Sequence, residues 1–255
     1  RLFTKRKRPP PADAMDMSVE KRHNIFSRKA IGKEPFEQVI ASNIDNVLIM
    51  VSTMQPDYDM ELIDKFRITA QLNGLEVSIC INKVDLDSEK KYTQDFDIYQ
   101  QYKLQIFPIS LKNNRNVDQM IEYLQGKETL LIGQSGVGKS TFINYLFNEQ
   151  VQKVNQLSEI KNKGMHTTTF VRMFDYKDQF KIIDAPGINE FDIWGLEQRD
   201  LKFYFQEFAR YQKKCEFIDC THTHEPNCAV VQAVEKDKIP LLRYKNYYNI
   251  YKTLE

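Results

Sequence analysis

A chain of 255 residues and 30.2 kDa, 42% hydrophobic and 28% charged with a mean hydropathy of −0.54, has room for one medium domain and a smaller appendage. That composition excludes a collagen, a wholly disordered chain and a disulfide mini-scaffold, and apolar runs as short as 47–51 and 130–132 leave no membrane span. The net charge of +1 hides an asymmetry, because residues 1–35 carry ten Lys and Arg against four Asp and Glu, net +6, while the remaining 220 are net −5.

The basic cluster comprises Arg1, Lys5, Arg6, Lys7, Arg8, Lys21, Arg22, Arg28, Lys29 and Lys33. It suits a polyanion such as RNA, whose affinity comes largely from phosphate neutralisation; a solvated tail is the plainer reading. Pro9, Pro10 and Pro11 break any regular element there, so residues 1–35 read as a basic linker or the remnant of a domain. No apolar stretch follows the basic N-terminus, so no signal peptide is expected and the setting is reducing and cytoplasmic.

From residue 45 the pattern alternates. Residues 46–52 read as a buried strand and 59–73 as a helix closed by Gly74. A strand over 76–81, a polar helix over 89–101, a strand over 104–109 and a helix over 117–124 closed by Gly126 continue the rhythm. A strand over 128–132 then enters a glycine-rich loop and a helix over 139–147. This βα alternation predicts a parallel sheet with helices on both faces and ligands at the carboxyl ends of the strands. Strands over 169–176 and 179–184 form a hairpin turning at Lys177-Asp178. Beyond them 196–212 and 244–254 read as helices flanking a cysteine and histidine cluster, and no internal repeat is present.

Gly133, Gln134, Ser135, Gly136, Val137, Gly138, Lys139 and Ser140, followed by Thr141, fit GxxxxGK[ST] where a strand enters a helix. Such a loop wraps phosphates with backbone N–H groups, Lys139 reaching the β and γ phosphates and Ser140 ligating Mg²⁺. Asn82, Lys83 and Asp85, at the end of the strand 76–81, say which base is bound. The Asp85 carboxylate can accept from the N1–H and 2-amino group of guanine, and adenine offers neither donor. Ser110, Leu111 and Lys112 resemble the element that closes over guanine. Asp184 and Gly187 match DxxG, with Asp184 holding Mg²⁺ through water and the Gly187 N–H sensing the γ-phosphate. Among residues 164–169 a threonine completes the Mg²⁺ shell, Thr168 being the choice among three.

The order is unusual, with the base reader at 82 ahead of the P-loop at 133, so the chain reads as a circularly permuted GTPase, feasible where domain termini lie close together. Cys215, Cys220, His222 and Cys228 supply three thiolates and one imidazole, a tetrahedral set for structural zinc, with His224 the competing imidazole. Cys80 sits in an apolar strand and reads as core.

This order, with GQSGVGKS, GxHTTT, DAPG and the C-x4-C-x-H-x5-C cluster, closely resembles the ribosome small subunit-dependent GTPase A (RsgA, YjeQ) family from about Asn24 onward. The resemblance implies GTP, GDP and Mg²⁺ binding, docking on the small ribosomal subunit and its rRNA during late maturation, and hydrolysis stimulated there. It implies an α/β fold in which a permuted P-loop GTPase domain, here 36–195, precedes a small, mostly helical zinc-binding domain, here 196–255. Family members also carry an N-terminal OB-fold, and the residues before 36 are too few for a five-stranded barrel. Ile188 stands where Ras-like enzymes place a water-orienting glutamine, so intrinsic hydrolysis is expected to be slow. His166 is the polar side chain that the resemblance offers instead, a plain loop histidine being the other reading. The competing functions are a GTP-dependent binding module without catalysis and an ATP-using P-loop enzyme of RNA metabolism. A monomer with no membrane contact is expected.

Overall fold

The computed structural model describes residues 21–30, 35–147, 171–185 and 187–254. His166, Thr168, the rest of 164–169 and the basic residues before 21 lie outside the described residues.

Six strands form the central sheet: β3 (Asn46–Ser52), β4 (Glu76–Asn82), β5 (Gln105–Pro108), β6 (Glu128–Ile132), β7 (Arg172–Tyr176) and β8 (Phe180–Asp184). Their spatial order is β5-β4-β3-β6-β8-β7. All neighbours run parallel except β7, which pairs antiparallel with β8. The turn between β7 and β8 puts Lys177 and Asp178 at φ 53° and 57°, the two left-handed residues of a type I′ hairpin. Alternate side chains of β3 feed opposite cores. Val47, Ile49 and Val51 face one and Leu48 and Met50 the other, so the strand is buried throughout.

Helix α1 (Met60–Leu72) starts at Asp59, whose carboxylate accepts from the backbone N–H groups of Glu61 and Leu62, and ends before Gly74 at φ +67°. Residues 89–101 correct the expected helix. Five residues, Lys91–Asp95, are α-helical (α2) and Asp97–Tyr102 form a 3₁₀ helix. Buried aromatics at 96, 99 and 102 recur every third residue, the repeat that a 3₁₀ turn aligns on one face. The expected helix over 196–212 likewise resolves into 3₁₀ turns Gln198–Tyr204 and Gln206–Phe208 and a short α-turn Ala209–Gln212. Helices α3 (Val117–Leu124) and α4 (Lys139–Phe147) lie where the pattern placed them, and the last helix runs over Leu241–Thr253.

The second correction concerns the N-terminal part. Strands β1 (Ile25–Ala30) and β2 (Phe36–Ser42) pair antiparallel, so the boundary drawn at residue 36 falls inside a hairpin. Phe26 is fully buried with its ring against Phe191, centroids 5.7 Å apart.

The C-terminal part shares the core of the α1 face, through Leu201, Phe205, Phe208, Tyr247 and Ile250. A buried polar network crosses the contact. Arg243 donates to Asp64 and, at 2.8 Å, to Glu207; Asp64 also accepts from Arg67, Tyr99 and Asn246, and Tyr102 donates to Glu207. Two carboxylates meet two guanidiniums, so the network is neutral. Burial alone would raise the Asp64 carboxyl, but Arg243 and Arg67 hold it below its ordinary value. That contribution to stability is present above the unfolded value of 3.8 and lost as pH falls through the lower folded one. Asp64→Ala leaves two buried cations short of a partner and is expected to cost about 3–5 kcal/mol. Urea unfolding measures it, and a loss below about 1 kcal/mol, the level of an exposed pair, would contradict a buried network.

Candidate nucleotide site and metal centre

The chain leaves β3 toward β4 and β5 and returns to β6 on the other side of β3. The crevice at the carboxyl ends of β3 and β6 is therefore the topological switch point, where open α/β sheets bind ligands. Five loops meet there. The loop after β6 carries residues 133–138, that after β4 Asn82–Asp85, that after β5 Ser110–Lys112, that after β8 Gly187, and that after β3 residues 53–56.

Asn82 joins three of them. Its Nδ2 donates to Val137 O at 3.0 Å and its Oδ1 accepts from Leu111 N at 3.3 Å. Lys83, held at φ 60°, extends its ammonium to Gly136 O at 2.9 Å, to Gln55 O and to Met54 O at 3.4 Å. Thr53 Oγ1 donates to Lys83 O at 2.7 Å. Gly138, at φ +111°, lies so close to the Asn82 amide that a Cβ would overlap it. At Gly187 a Cβ would sit 2.9 Å from Ser135 N, so the DxxG glycine packs directly on the P-loop. Ser110 is buried and its Oγ accepts from Asn113 N, whereas Lys112, Ser140 and Thr141 are exposed.

Several polar groups are left waiting. Lys139 is buried and donates to Gly133 O at 2.7 Å and Gln134 O at 2.8 Å, so its ammonium is parked on its own loop. Burial lowers its pKa, opposed by Asp184, and burial pushes the Asp184 carboxyl up to about 6 against the pull of Lys139 and Arg172. Among the described residues, one buried carboxylate oxygen of Asp184 and one of Asp85 have no hydrogen-bond partner. Buried acceptors of this kind are costly unless a ligand meets them. Residues 164–169, expected to complete the Mg²⁺ shell, fall outside the described residues.

The second cluster lies in the C-terminal part. Cys215 Sγ is 4.0 Å from Cys228 Sγ, and His222 Nδ1 is 3.6 Å and 3.4 Å from these sulfurs. With Cys220, all four ligand atoms lie within 4.8 Å of one another. A tetrahedral zinc with ordinary bond lengths sets sulfur atoms about 3.8 Å apart and sulfur and nitrogen about 3.5 Å apart, so the donors fit. Burial, with Lys202 beside it, lowers His222 to about 4, which leaves the imidazole neutral at pH 7. Burial raises the thiols of Cys220 and Cys228, a cost that a bound dication offsets. His224 is exposed and turns its Nδ1 to Thr223 Oγ1 at 2.9 Å, away from the cluster. The terminal helix braces the loop, Tyr244 donating to His222 O at 2.8 Å and Tyr247 to Thr221 O.

The family model of RsgA GTPases matches residues 19–194, more than two thirds of the chain. The chain belongs to the RsgA GTPase family. Two relatives carry the name small ribosomal subunit biogenesis GTPase RsgA. That of Chlorobaculum parvum is 35% identical over 249 residues, covering 96% of this chain and 80% of its own. That of Phocaeicola vulgatus is 37% identical over 235 residues, covering 91% and 76%. The crystal structure of YjeQ from Thermotoga maritima superposes with a TM-score of 0.69 at 31% identity, over 93% of this chain and 77% of that one. YloQ, described as a circularly permuted GTPase, shares the fold with a TM-score of 0.65 over 92% and 73%.

Within this RsgA fold two contributors escaped sequence reasoning. Met54 and Gln55 support Lys83 through backbone carbonyls, which leave no side-chain signature, and Thr53 through its hydroxyl, although their place at the end of the central strand was a usable signal. Asn189 accepts from Ser135 N at 3.3 Å, a contact that depends on β8 lying beside β6. No helix among the described residues is long and apolar enough to cross a membrane.

Proposed function

We propose that the chain is a cytoplasmic, monomeric GTP hydrolase of small ribosomal subunit biogenesis that binds Mg²⁺ with its nucleotide and carries one structural zinc. The observation that supports the guanine reading best is the amide of Asn82, which ties the base-reading loop to the P-loop beside the unpartnered carboxylate oxygen of Asp85. Asp85 accepts from guanine, Asn82 and Lys83 brace the loops, and Ser110, Leu111 and Lys112 close over the base. The backbone of 133–138 cradles the phosphates, and Lys139 exchanges its own loop's carbonyls for phosphate oxygens. Ser140, Asp184 and Thr168 would hold Mg²⁺, which would supply neutralisation of phosphate charge. Cys215, Cys220, His222 and Cys228 would hold zinc.

Ile188 is buried and cannot orient water; its N–H donates to Gly133 O at 3.2 Å. Hydrolysis by the free protein is therefore slow, with His166 the residue proposed to orient water when the small subunit is bound. Ile188 also favours the second reading, a GTP-dependent binding module. GTPase rates with and without small ribosomal subunits separate the two, since no stimulation and no turnover would leave only the module.

Asp85→Asn is expected to weaken GTP binding by roughly 10²-fold or more, because one charge-assisted bond and the fit of its partner are lost together. XTP should be preferred by the variant, as its 2-oxo group accepts from the new amide. Titration with fluorescent nucleotides checks this, and full retained GTP affinity would exclude Asp85 as the base reader.

A further inference from the structure

We propose that Arg28, on the hairpin ahead of the nucleotide fold, is a phosphate-contacting residue of the GTP site, supplied in cis to stabilise the transferring phosphoryl group. The inference rests on the GTPase reading above.

Composition alone places Arg28 in a basic cluster open to solvent. The structure places it elsewhere. It lies on β1, and β1 grips the segment that follows the DxxG glycine: Lys29 N donates to Asp192 O at 2.9 Å, and Phe191 packs between Phe26 and Phe66, with centroids 5.7 Å and 5.0 Å away. Ile188, Phe191 and Ile193 are all buried. The hairpin is thus fixed relative to the γ-phosphate sensor.

A cleft of about 500 Å³ separates the two, lined by Arg28 and Gln38 on the hairpin side and by Gly187, Ile188, Asn189 and Glu190 on the other. Gly187 and Asn189, which line the cleft, also lie against Ser135 of the P-loop, so the cleft and the phosphate loop share these two residues as a common wall. Gln38 Oε1 accepts from Arg28 Nε at 2.9 Å, which orients the guanidinium plane. The described residues give its two terminal nitrogens no partner, and Glu190 forms no ion pair with it. A permanently charged, planar fork, braced on one edge and open on the other, suits phosphate oxygens.

In the step itself the water oxygen bonds to the γ-phosphorus, and the bond from that phosphorus to the β–γ bridging oxygen breaks, its electron pair leaving with GDP. One water proton stays on inorganic phosphate and the other passes to solvent. Arg28 transfers no proton; its N–H groups donate to oxygens whose charge rises in the transition state.

The test compares the full chain with Arg28→Ala, Arg28→Lys and Gln38→Ala. Single-turnover GTP hydrolysis is measured with and without small ribosomal subunits, together with GDP affinity in the presence and absence of aluminium fluoride, a mimic of the transferring phosphoryl. Arg28→Ala should slow hydrolysis by roughly 10²-fold or more, keep GDP affinity within about two-fold and lose the gain that aluminium fluoride confers. Arg28→Lys should recover only part, and Gln38→Ala should lose less than Arg28→Ala. The proposal is overturned if Arg28→Ala keeps wild-type hydrolysis and its aluminium fluoride response. It is equally overturned if GTP and GDP affinities fall together with the melting temperature, the mark of a strut. Should Arg28→Ala not fold, wild-type hydrolysis and fluoride response in both Arg28→Lys and Gln38→Ala overturn it. A wild-type chain that binds no GTP defeats the GTPase reading as well, whereas an active wild type with an unaffected variant defeats the Arg28 role alone.

Discussion

Replacing Lys139 by alanine is expected to lower single-turnover GTP hydrolysis by roughly 10²–10³-fold, the scale of losing one preorganised stabiliser of transition-state charge. The ammonium is the cationic group inside the P-loop, 2.7 Å from Gly133 O and 2.8 Å from Gln134 O. Its pKa is lowered by burial and supported by Asp184, so the site holds a charge at some cost in the absence of phosphate. The fold should survive, because the side chain packs against a loop and not against the cores on either face of the sheet. Thermal unfolding of the nucleotide-free variant should therefore stay near that of the wild type. What disappears is the stabilisation by ligand, about 2.7 kcal/mol at a GTP concentration of 100 Kd for the wild type. Phosphate release and melting curves with and without GTP check both halves, and unchanged hydrolysis would count decisively against residues 133–140 as the phosphate loop.

The second large effect is expected from the metal. Freshly purified, reduced protein should contain about one equivalent of zinc. Structural zinc in small peptides contributes roughly 10–16 kcal/mol of apparent binding free energy. Less than that should be lost here, because Phe205, Phe208, Tyr247 and Ile250 remain in the main core and Arg243 remains bound to Asp64. Cys220→Ser or chelation should release the loop 213–230, which hangs on Tyr244 and Tyr247 through the carbonyls of His222 and Thr221. Hydrogen exchange should rise steeply over 213–230 while 82–138 stays protected and GTP binding persists. His222→Ala should lose zinc with it, as His224 faces Thr223. A zinc-free wild type would sink the assignment, and zinc held unchanged by His222→Ala would move the fourth ligand to His224.

Both variants act on features that short windows of sequence display. Phosphate loops need glycine and lysine at set intervals because the backbone itself wraps the ligand, and a tetrahedral metal needs four donors close in the chain or folded close. The motifs at Gly133–Ser140, Asn82–Asp85, Asp184–Gly187 and the cysteine cluster stand out in the sequence for that reason, and the fold brings the first three to one end of the sheet. So were the β3, β6, α3 and α4 spans, where apolar periodicity matches burial on the faces of the sheet. The turn at Lys177-Asp178 was legible in position from the two strand-like runs that flank it. The permuted order, too, is a property of the chain alone.

What the tertiary structure decided is the company that distant residues keep. Arg67 meets Asp64 from one turn away, but Asp64 and Arg243 stand 179 positions apart, and only the packing of the terminal helix on α1 selects Arg243 from the chain's other distant cations as the second partner. Threefold spacing of Phe96, Tyr99 and Tyr102 became a 3₁₀ turn because a buried wall awaited those rings, a fact external to the segment. His222 rather than His224 joined the thiols because a left-handed backbone at φ 61° turns it inward. Arg28, one of ten cations in a basic stretch, came to face the segment after Asp184 only when Phe26 and Phe191 brought its hairpin there. Local chemistry is written in windows of a few residues, whereas the choice among many equivalent long-range partners is made by the cooperative closure of one core.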